Sequence, residues 1–219
     1  MSTAAIEDYA KAIYALEERA EDAVSTTALA TRLGVTAGSV SAMLKKLDAD
    51  GLVTHEPYRG VRLTEAGRRV ALEVIRHHRL IELFLAEVLE MPWDRVHAEA
   101  EVLEHVLSEE LEDLIAAKLG NPTCDPHGDP IPSADLEVPE ARVGVPLQAL
   151  EPGATGRFVR VSDADPEMLR WLADRAVRPG DDVEVVDKQP FDGPLTVRIG
   201  RETHVLGGGV AAAMRIETA

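Results

Sequence analysis

Residues 25–65 read STTALATRLGVTAGSVSAMLKKLDADGLVTHEPYRGVRLTE. Ser25, Thr26 and Thr27 offer hydroxyl caps for a short helix, ALATRL. Gly34-Val35 is a turn. Thr36 is the next cap, opening AGSVSAMLKKLDAD, and Gly51 ends that helix. LVTHE and VRLTE follow as two short strands joined by the turn PYRG. Two short helices about a tight turn, then a hairpin, give the winged helix-turn-helix pattern. Upstream, Ile6, Tyr9, Ile13 and Leu16 stand at helical spacing and predict a helix over 3–20.

Downstream the pattern turns helical, then extended. Thr64 caps a long helix to about residue 90, with Leu72, Ile75, Leu80, Leu83 and Phe84 as its apolar stripe. Pro92-Trp93-Asp94 starts a helix over 94–107, and Ser108 caps a third, EELEDLIAAKL, which Gly120 ends. This block carries more apolar stripe than a short bundle needs, and a homodimer interface is its natural use. Residues 121–148 are rich in Pro, Gly and Asp without periodicity and read as a linker; His127 reads there as a loop histidine rather than a ligand. Beyond, ATGRFVRVS, DDVEVVDKQ, PLTVRIG, RETHVLG and AAAMRIE alternate with turn residues and one helical piece, DPEMLRWLADRA, the pattern of a small β-barrel. The expected chain is mainly α with small β parts, in four stretches: 1–70, 71–120, 121–148 and 149–219.

The 219 residues carry a net charge of −16 and are 45% hydrophobic, enough for a true core. No apolar run approaches the roughly 20 residues that span a bilayer, and the amphipathic start MSTAAIEDYAKAIYALEE is unlike a signal peptide, so the expected location is cytoplasmic. The lone Cys124 excludes an intramolecular disulfide and a thiolate-cluster metal site. Charge is uneven. Residues 25–69 hold seven Lys/Arg against four acids, net +3, whereas 77–219 hold 13 against 28, net −15. A local basic patch on an acidic body can bind phosphate while disfavouring loose binding elsewhere.

A second stretch carries chemistry. In RVHAEAEVLEHVLSEELE (95–112), read as one helix, His97, Glu101, Glu104 and His105 fall at i, i+4, i+7 and i+8. They span roughly 100° of helix surface; four N/O donors on one face suggest a cation site, the alternative being a solvated acidic face with two surface histidines. His78 and Glu82 form a second pair, at i, i+4. There is no nucleophile elbow, phosphate loop or dinucleotide fingerprint, so no enzyme or small-molecule substrate is expected.

Taken together, IEDYAKAIYALEE, KLDADGLV, HEPYRGVRLTEAG, RHHRLIELFL, VHAEAEVLEH, GDPIP and the C-terminal β segments resemble the DtxR/MntR family of metal-dependent transcriptional repressors over nearly the whole chain. The layout resembles the longer members, which end in a Src-homology-3-like barrel. The resemblance implies a homodimer that binds a divalent metal, then operator DNA. It implies a regulatory site of Asp8, Glu101, Glu104 and His105, and an ancillary site of His78, Glu82 and His97. A barrel acid completes the latter, best matched by Asp165 with Asp163 and Glu167 as rivals; His77 aligns as a non-ligand. In the family's iron-responsive branch the positions of Asp8 and Glu101 carry Met and Cys. Here both are carboxylates, a harder donor set that suits Mn(II) over Fe(II), although Co(II) and Zn(II) bind such donors tightly. Short manganese-responsive members have a further carboxylate where this chain has Lys11, which cannot be a ligand and can pair with a nearby acid.

In the recognition helix TAGSVSAMLKKL, Thr36, Ser39 and Ser41 would face bases or phosphates and Ala42 a thymine methyl. Lys45 and Lys46 suit phosphate contact. Arg59 in the wing turn would reach the backbone or minor groove, and Thr26 and Thr27 can donate to a phosphate. Two rivals remain at this stage: an iron-responsive repressor of the same family, and a winged-helix regulator that senses an organic ligand.

Overall fold

The computed structural model describes residues 3–18, 22–56, 59–139, 144–163, 165–191 and 193–218. The wing-turn residues Pro57 and Tyr58 lie outside them, as do 19–20 at the expected end of the first helix. The chain forms two compact units. One is Met1–His78, Val102–Ser108 and Pro132–Glu137; the other is Arg79–Glu101, Glu109–Ile131 and Val138–Ala219.

The first unit begins with α1 (Thr3–Glu17), α2 (Thr26–Leu33) and α3 (Ala37–Ala49), then β1 (Val53–Glu56) and β2 (Gly60–Leu63). The expected caps are in place. Ser25 accepts from the Ala28 amide, Thr36 from the Ser39 amide, and Gly34 closes α2 in the left-handed conformation. β1 and β2 pair antiparallel with Val53 opposite Leu63, and Val24 adds a bridge to Val61. Tyr9 and Ile13 of α1 pack with Leu29, Val40, Leu44, Leu47, Val53 and Val61. On an adjacent face of α1, Ala10 and Tyr14 pack with Ala71, Leu72 and Ile75 of α4 (Glu65–Glu87). Two pairs at i, i+4 thus make α1 the shared wall of two clusters. Thr64 caps α4 through the Gly67 amide at 3.1 Å.

The next helix, α5 (Trp93–Leu103), is shorter than the pattern predicts. Residues 104–106 turn instead, with the Val106 amide on Leu103 O at 3.0 Å. The Glu104 carbonyl is taken by His77 Nδ1 at 3.1 Å. A side-chain donor thus satisfies a carbonyl that further helix would have used, so tertiary bonding overrides the periodicity. Glu104 and His105 therefore do not share one helical face with His97 and Glu101. The helix α6 (Glu109–Lys118) follows, ending near Gly120 as expected.

In the second unit β3 (Val145–Pro146), β4 (Thr155–Val161), α7 (Pro166–Ala173), β5 (Asp182–Lys188), β6 (Leu195–Ile199), β7 (Glu202–Leu206), α8 (Gly208–Ala213) and β8 (Met214–Thr218) form the expected Src-homology-3-like barrel. Its antiparallel strand order is β3-β8-β4-β5-β6-β7. Register shifts in β4 (Phe158/Arg160) and β5 (Val185/Asp187) supply curvature. Phe158, Val185, Val197, Leu206, Ile216 and Leu169 fill the interior.

The stretch expected as a linker is packed from 121 to 131. His127 and Ile131 are buried, Val161 donates to His127 O at 2.9 Å, and a Cβ on Gly128 would meet Val159 O at 2.0 Å. Turn-forming composition forbids a periodic element here but not hydrogen-bonded packing. Among the described residues no helix is long and apolar enough to cross a membrane.

Gly67 abuts the wing: a Cβ there would lie 1.9 Å from Leu52 O. Gly67→Ala is expected to lower the unfolding free energy by about 1–3 kcal/mol, read as an earlier urea midpoint.

Candidate metal centres and DNA-contacting face

In the first unit, α1 and the 104–105 turn bring Asp8, Glu104 and His105 together, with ligand atoms within 4.8 Å of one another. His105 Nε2 lies 3.0 Å from Asp8 Oδ1 and 3.7 Å from Glu104 Oε1. Its other nitrogen, Nδ1, meets Glu7 Oε2 at 2.6 Å. A carboxylate on one ring nitrogen fixes the tautomer and leaves the other to face a cation. Glu7 was not singled out in the sequence; its signal is only that it adjoins Asp8.

Glu104 is buried and receives two Lys11 Nζ bonds, 2.9 Å to Oε1 and 2.8 Å to Oε2. His78 Nδ1 makes a short contact with Oε2. Burial alone would raise the Glu104 carboxyl. The His78 hydrogen bond and the Lys11 and His78 charges outweigh it and hold the group below its ordinary value. Held ionised, Glu104 accepts from both the Lys11 ammonium and the His78 imidazole. Lys11 pairs with an acid, as its position suggested.

The second unit holds Glu82, His97 and Asp163 as one group, and Glu82, Asp125 and His127 as another. His97 Nδ1 lies 3.2 Å from Glu82 Oε1 and 3.4 Å from Asp163 Oδ2, and its Nε2 lies 3.8 Å from Glu101. The barrel acid beside His97 is therefore Asp163, not Asp165. The Asp165 carboxylate is committed to capping α7, accepting from the Glu167 and Met168 amides at 3.0 and 3.2 Å.

Two residues of the Glu82, Asp125 and His127 group differ from the sequence expectation: His127 reads as a loop histidine, and Asp125 carries no motif. His127 is fully buried, stacks on Trp93 at 5.5 Å, and sets Nε2 3.2 Å from Trp93 O, while Nδ1 has no protein partner. Asp125 Oδ1 accepts from the His127 and Asp129 amides at 2.8 and 2.9 Å. Burial, then the charges of Asp129 and Glu82, push the Asp125 carboxyl well up against the opposing pull of Arg79. A buried acid that holds its proton more tightly than usual, beside a second acid and an imidazole nitrogen with no hydrogen-bond partner among the described residues, fits a cation that would displace the proton. The only sequence signal is Asp-x-His in an aperiodic stretch.

The DNA-contacting candidates sit on the outer side of the head. Thr36, Ser39, Ala42 and Lys45 are exposed along α3, opposite the buried Val40, Met43, Leu44 and Leu47. Ser41 and Lys46 are half-buried, and the Ser41 hydroxyl donates to Ala37 O at 2.9 Å. Thr26 and Thr27 open α2. Arg59 is 82% exposed and 3.3 Å from Glu56.

Comparison with known proteins agrees with this layout. Residues 1–61 match the iron dependent repressor N-terminal DNA binding domain, 64–133 the iron dependent repressor metal binding and dimerisation domain, and 145–218 the FeoA domain. The iron-dependent repressor IdeR of Mycobacterium tuberculosis is 33% identical over 96% of both chains. The chain belongs to the iron-dependent repressor family. The diphtheria toxin repressor of Corynebacterium diphtheriae is 31% identical, again over 96% of each chain. Among solved structures, a manganese-dependent transcriptional repressor in complex with manganese shares 43% identity, with a TM-score of 0.86 over 98% of this chain and 100% of that one. The manganese regulator SloR shares 32%, with a TM-score of 0.73 over 98% of each. The chain is thus a metal-dependent transcriptional repressor with DNA-binding and dimerisation domains. Repressors of this family are DNA-binding regulators, not enzymes.

The raised Asp125 carboxyl means that the folded chain holds this proton more tightly than the unfolded one. Its contribution to stability falls as pH rises from the ordinary carboxylate range through the folded-state value. Metal-free Asp125→Asn is therefore expected to be more stable than wild type near neutral pH, the two converging in acid. Urea unfolding across that range checks it; parallel profiles would contradict it.

Proposed function

We propose that this chain is a manganese-responsive, cytoplasmic repressor that binds operator DNA as a homodimer once its metal sites fill. The carrying observation is the meeting of Asp8, on the first helix of the DNA-binding head, with Glu104 and His105. These donors are carboxylate and imidazole, a set that suits Mn(II) better than a sulfur-containing one. The 43% identity to a repressor whose structure holds manganese supports that choice. The 33% identity to an iron-dependent repressor keeps Fe(II) as the second reading.

We assign Asp8, Glu104 and His105 to the regulatory site, with Glu7 orienting His105; Glu101 is the fourth ligand that the resemblance implies. His78, Glu82 and His97 form the ancillary site, completed by Asp163 and extended by Asp125 and His127. A bound divalent ion supplies the positive charge that lets the acids converge. Without it, only Lys11 and His78 offset the Glu104 charge, Asp8 and Glu104 lack a shared cation, and the docking of α1 on the 104–105 turn is weaker. An ion that binds the docked arrangement more tightly shifts the population toward it, in proportion to that difference alone.

The docked head would offer Thr36, Ser39 and Ala42 to the major groove, with Ser41 at the groove edge. Lys45, Lys46, Thr26 and Thr27 would meet phosphates, and Arg59 the backbone or minor groove. Exposed apolar side chains suit self-association: Val102 and Val106 in the first unit, Leu111 and Leu114 in the second. A homodimer matches a two-fold operator.

Asp8→Ala is expected to abolish metal-stimulated operator binding while leaving the dimer intact, and His78→Ala to weaken activation without abolishing it. Anaerobic gel shifts at fixed salt with Mn(II), Fe(II), Co(II) and Zn(II) test both variants and the metal together. Activation by Fe(II) but not Mn(II) would replace the manganese reading with the iron one. Normal manganese dependence in Asp8→Ala would remove the regulatory site.

A further inference from the structure

We propose that Lys11 is a built-in competitor of the divalent ion: its ammonium holds the Glu104 carboxylate in the metal-free protein and so sets the ion concentration at which the site fills. The proposal rests on the reading that Asp8, Glu104 and His105 take a divalent cation.

Lys11 stands three residues after Asp8 on α1, so both side chains leave the same face of the helix. Its ammonium bridges both Glu104 oxygens, 2.9 Å to Oε1 and 2.8 Å to Oε2. The Glu104 side chain is fully buried, and that of Lys11 is 18% exposed. A carboxylate removed from water must have charged or hydrogen-bonding partners. Lys11 and His78 supply them.

These same oxygens must also serve the ion. Oε1, one of the two Lys11 acceptors, is the Glu104 oxygen 3.7 Å from His105 Nε2. An ammonium and a divalent ion on one dry carboxylate repel each other strongly, because little solvent screens them. The lysine is therefore a monovalent occupant of the acid's coordination sphere. Its four-carbon stem allows it to withdraw as the ion arrives, which a rigid guanidinium fork would do less readily. The metal-free protein thereby keeps α1 beside the 104–105 turn without leaving Glu104 unpaired, and the ion must outcompete a tethered cation rather than enter bare charge.

Calorimetric titration of the metal-free full chain with Mn(II), paired with thermal unfolding with and without the ion, tests this. The regulatory isotherm is the one that Asp8→Ala removes. Lys11→Gln keeps an N–H donor and removes the charge. It is expected to unfold at lower temperature without metal and to bind Mn(II) about tenfold more tightly, the scale of one neighbouring like charge. Its Mn(II)-induced gain in unfolding temperature should exceed that of wild type. Lys11→Arg should retain wild-type affinity or weaken it. A metal-free Lys11→Gln chain too unstable to titrate is refolded with saturating Mn(II) and its affinity read by chelator competition. Unchanged affinity, with an equal loss of stability in both states, would make Lys11 a structural pair only. Weakened affinity would make it an organiser of the ligand. Either result overturns the competitor role alone. If Asp8→Ala removes no isotherm from the wild-type titration, the site reading falls and this proposal with it.

Discussion

A fully buried carboxylate, Glu104, is the constraint on which the first unit turns. An ionised acid out of water cannot stand alone, and its positive and hydrogen-bonding partners come from separate pieces of chain: Lys11 on α1, and His78 on α4. The backbone follows the same demand. The α5 helix stops at Leu103, and the next carbonyl bonds to His77. One side chain therefore ties the first helix of the DNA-binding head to the segment that carries His105.

That arrangement gives α1 two tasks. Its apolar side chains complete the two clusters of the head, through Tyr9 and Ile13 on one face and Ala10 and Tyr14 on another. Its acidic and basic side chains, Glu7, Asp8 and Lys11, all address the 104–105 turn. A helix packed this closely moves as a body, so charge added or removed at the turn is felt by the module that carries α3. The metal-dependence of the family becomes a statement about where α1 rests.

The helix-turn-helix was legible because its punctuation is local: Ser25, Gly34, Thr36 and Thr64 act within a few residues of themselves, and each does in the structure what its side chain predicts. Of the four residues that the resemblance implies, the structure brings Asp8, Glu104 and His105 within reach of one another and sets Glu101 beside His97. Helical spacing, by contrast, misled at Glu104 and His105, because the end of α5 depends on His77, twenty-seven positions away. The choice of Asp165 failed for a related reason. Asp163 and Asp165 are equivalent by composition, and only the start of α7 decides which one is used as a cap. Asp125 and His127 lay in a stretch whose turn residues hide packing, since burial there arises from contacts with Arg79, Trp93 and β4 rather than from any periodicity. Glu7 and Lys11 act on other side chains, and motif spacing does not register such roles.

The central claim is that one divalent ion joins α1 to the 104–105 turn. Anomalous diffraction from crystals grown with Mn(II), recorded near the manganese absorption edge, addresses it most directly. The account predicts a peak in ligating contact with Asp8, Glu104 and His105 together. A peak set that leaves the Asp8 carboxylate turned away from every ion would contradict it.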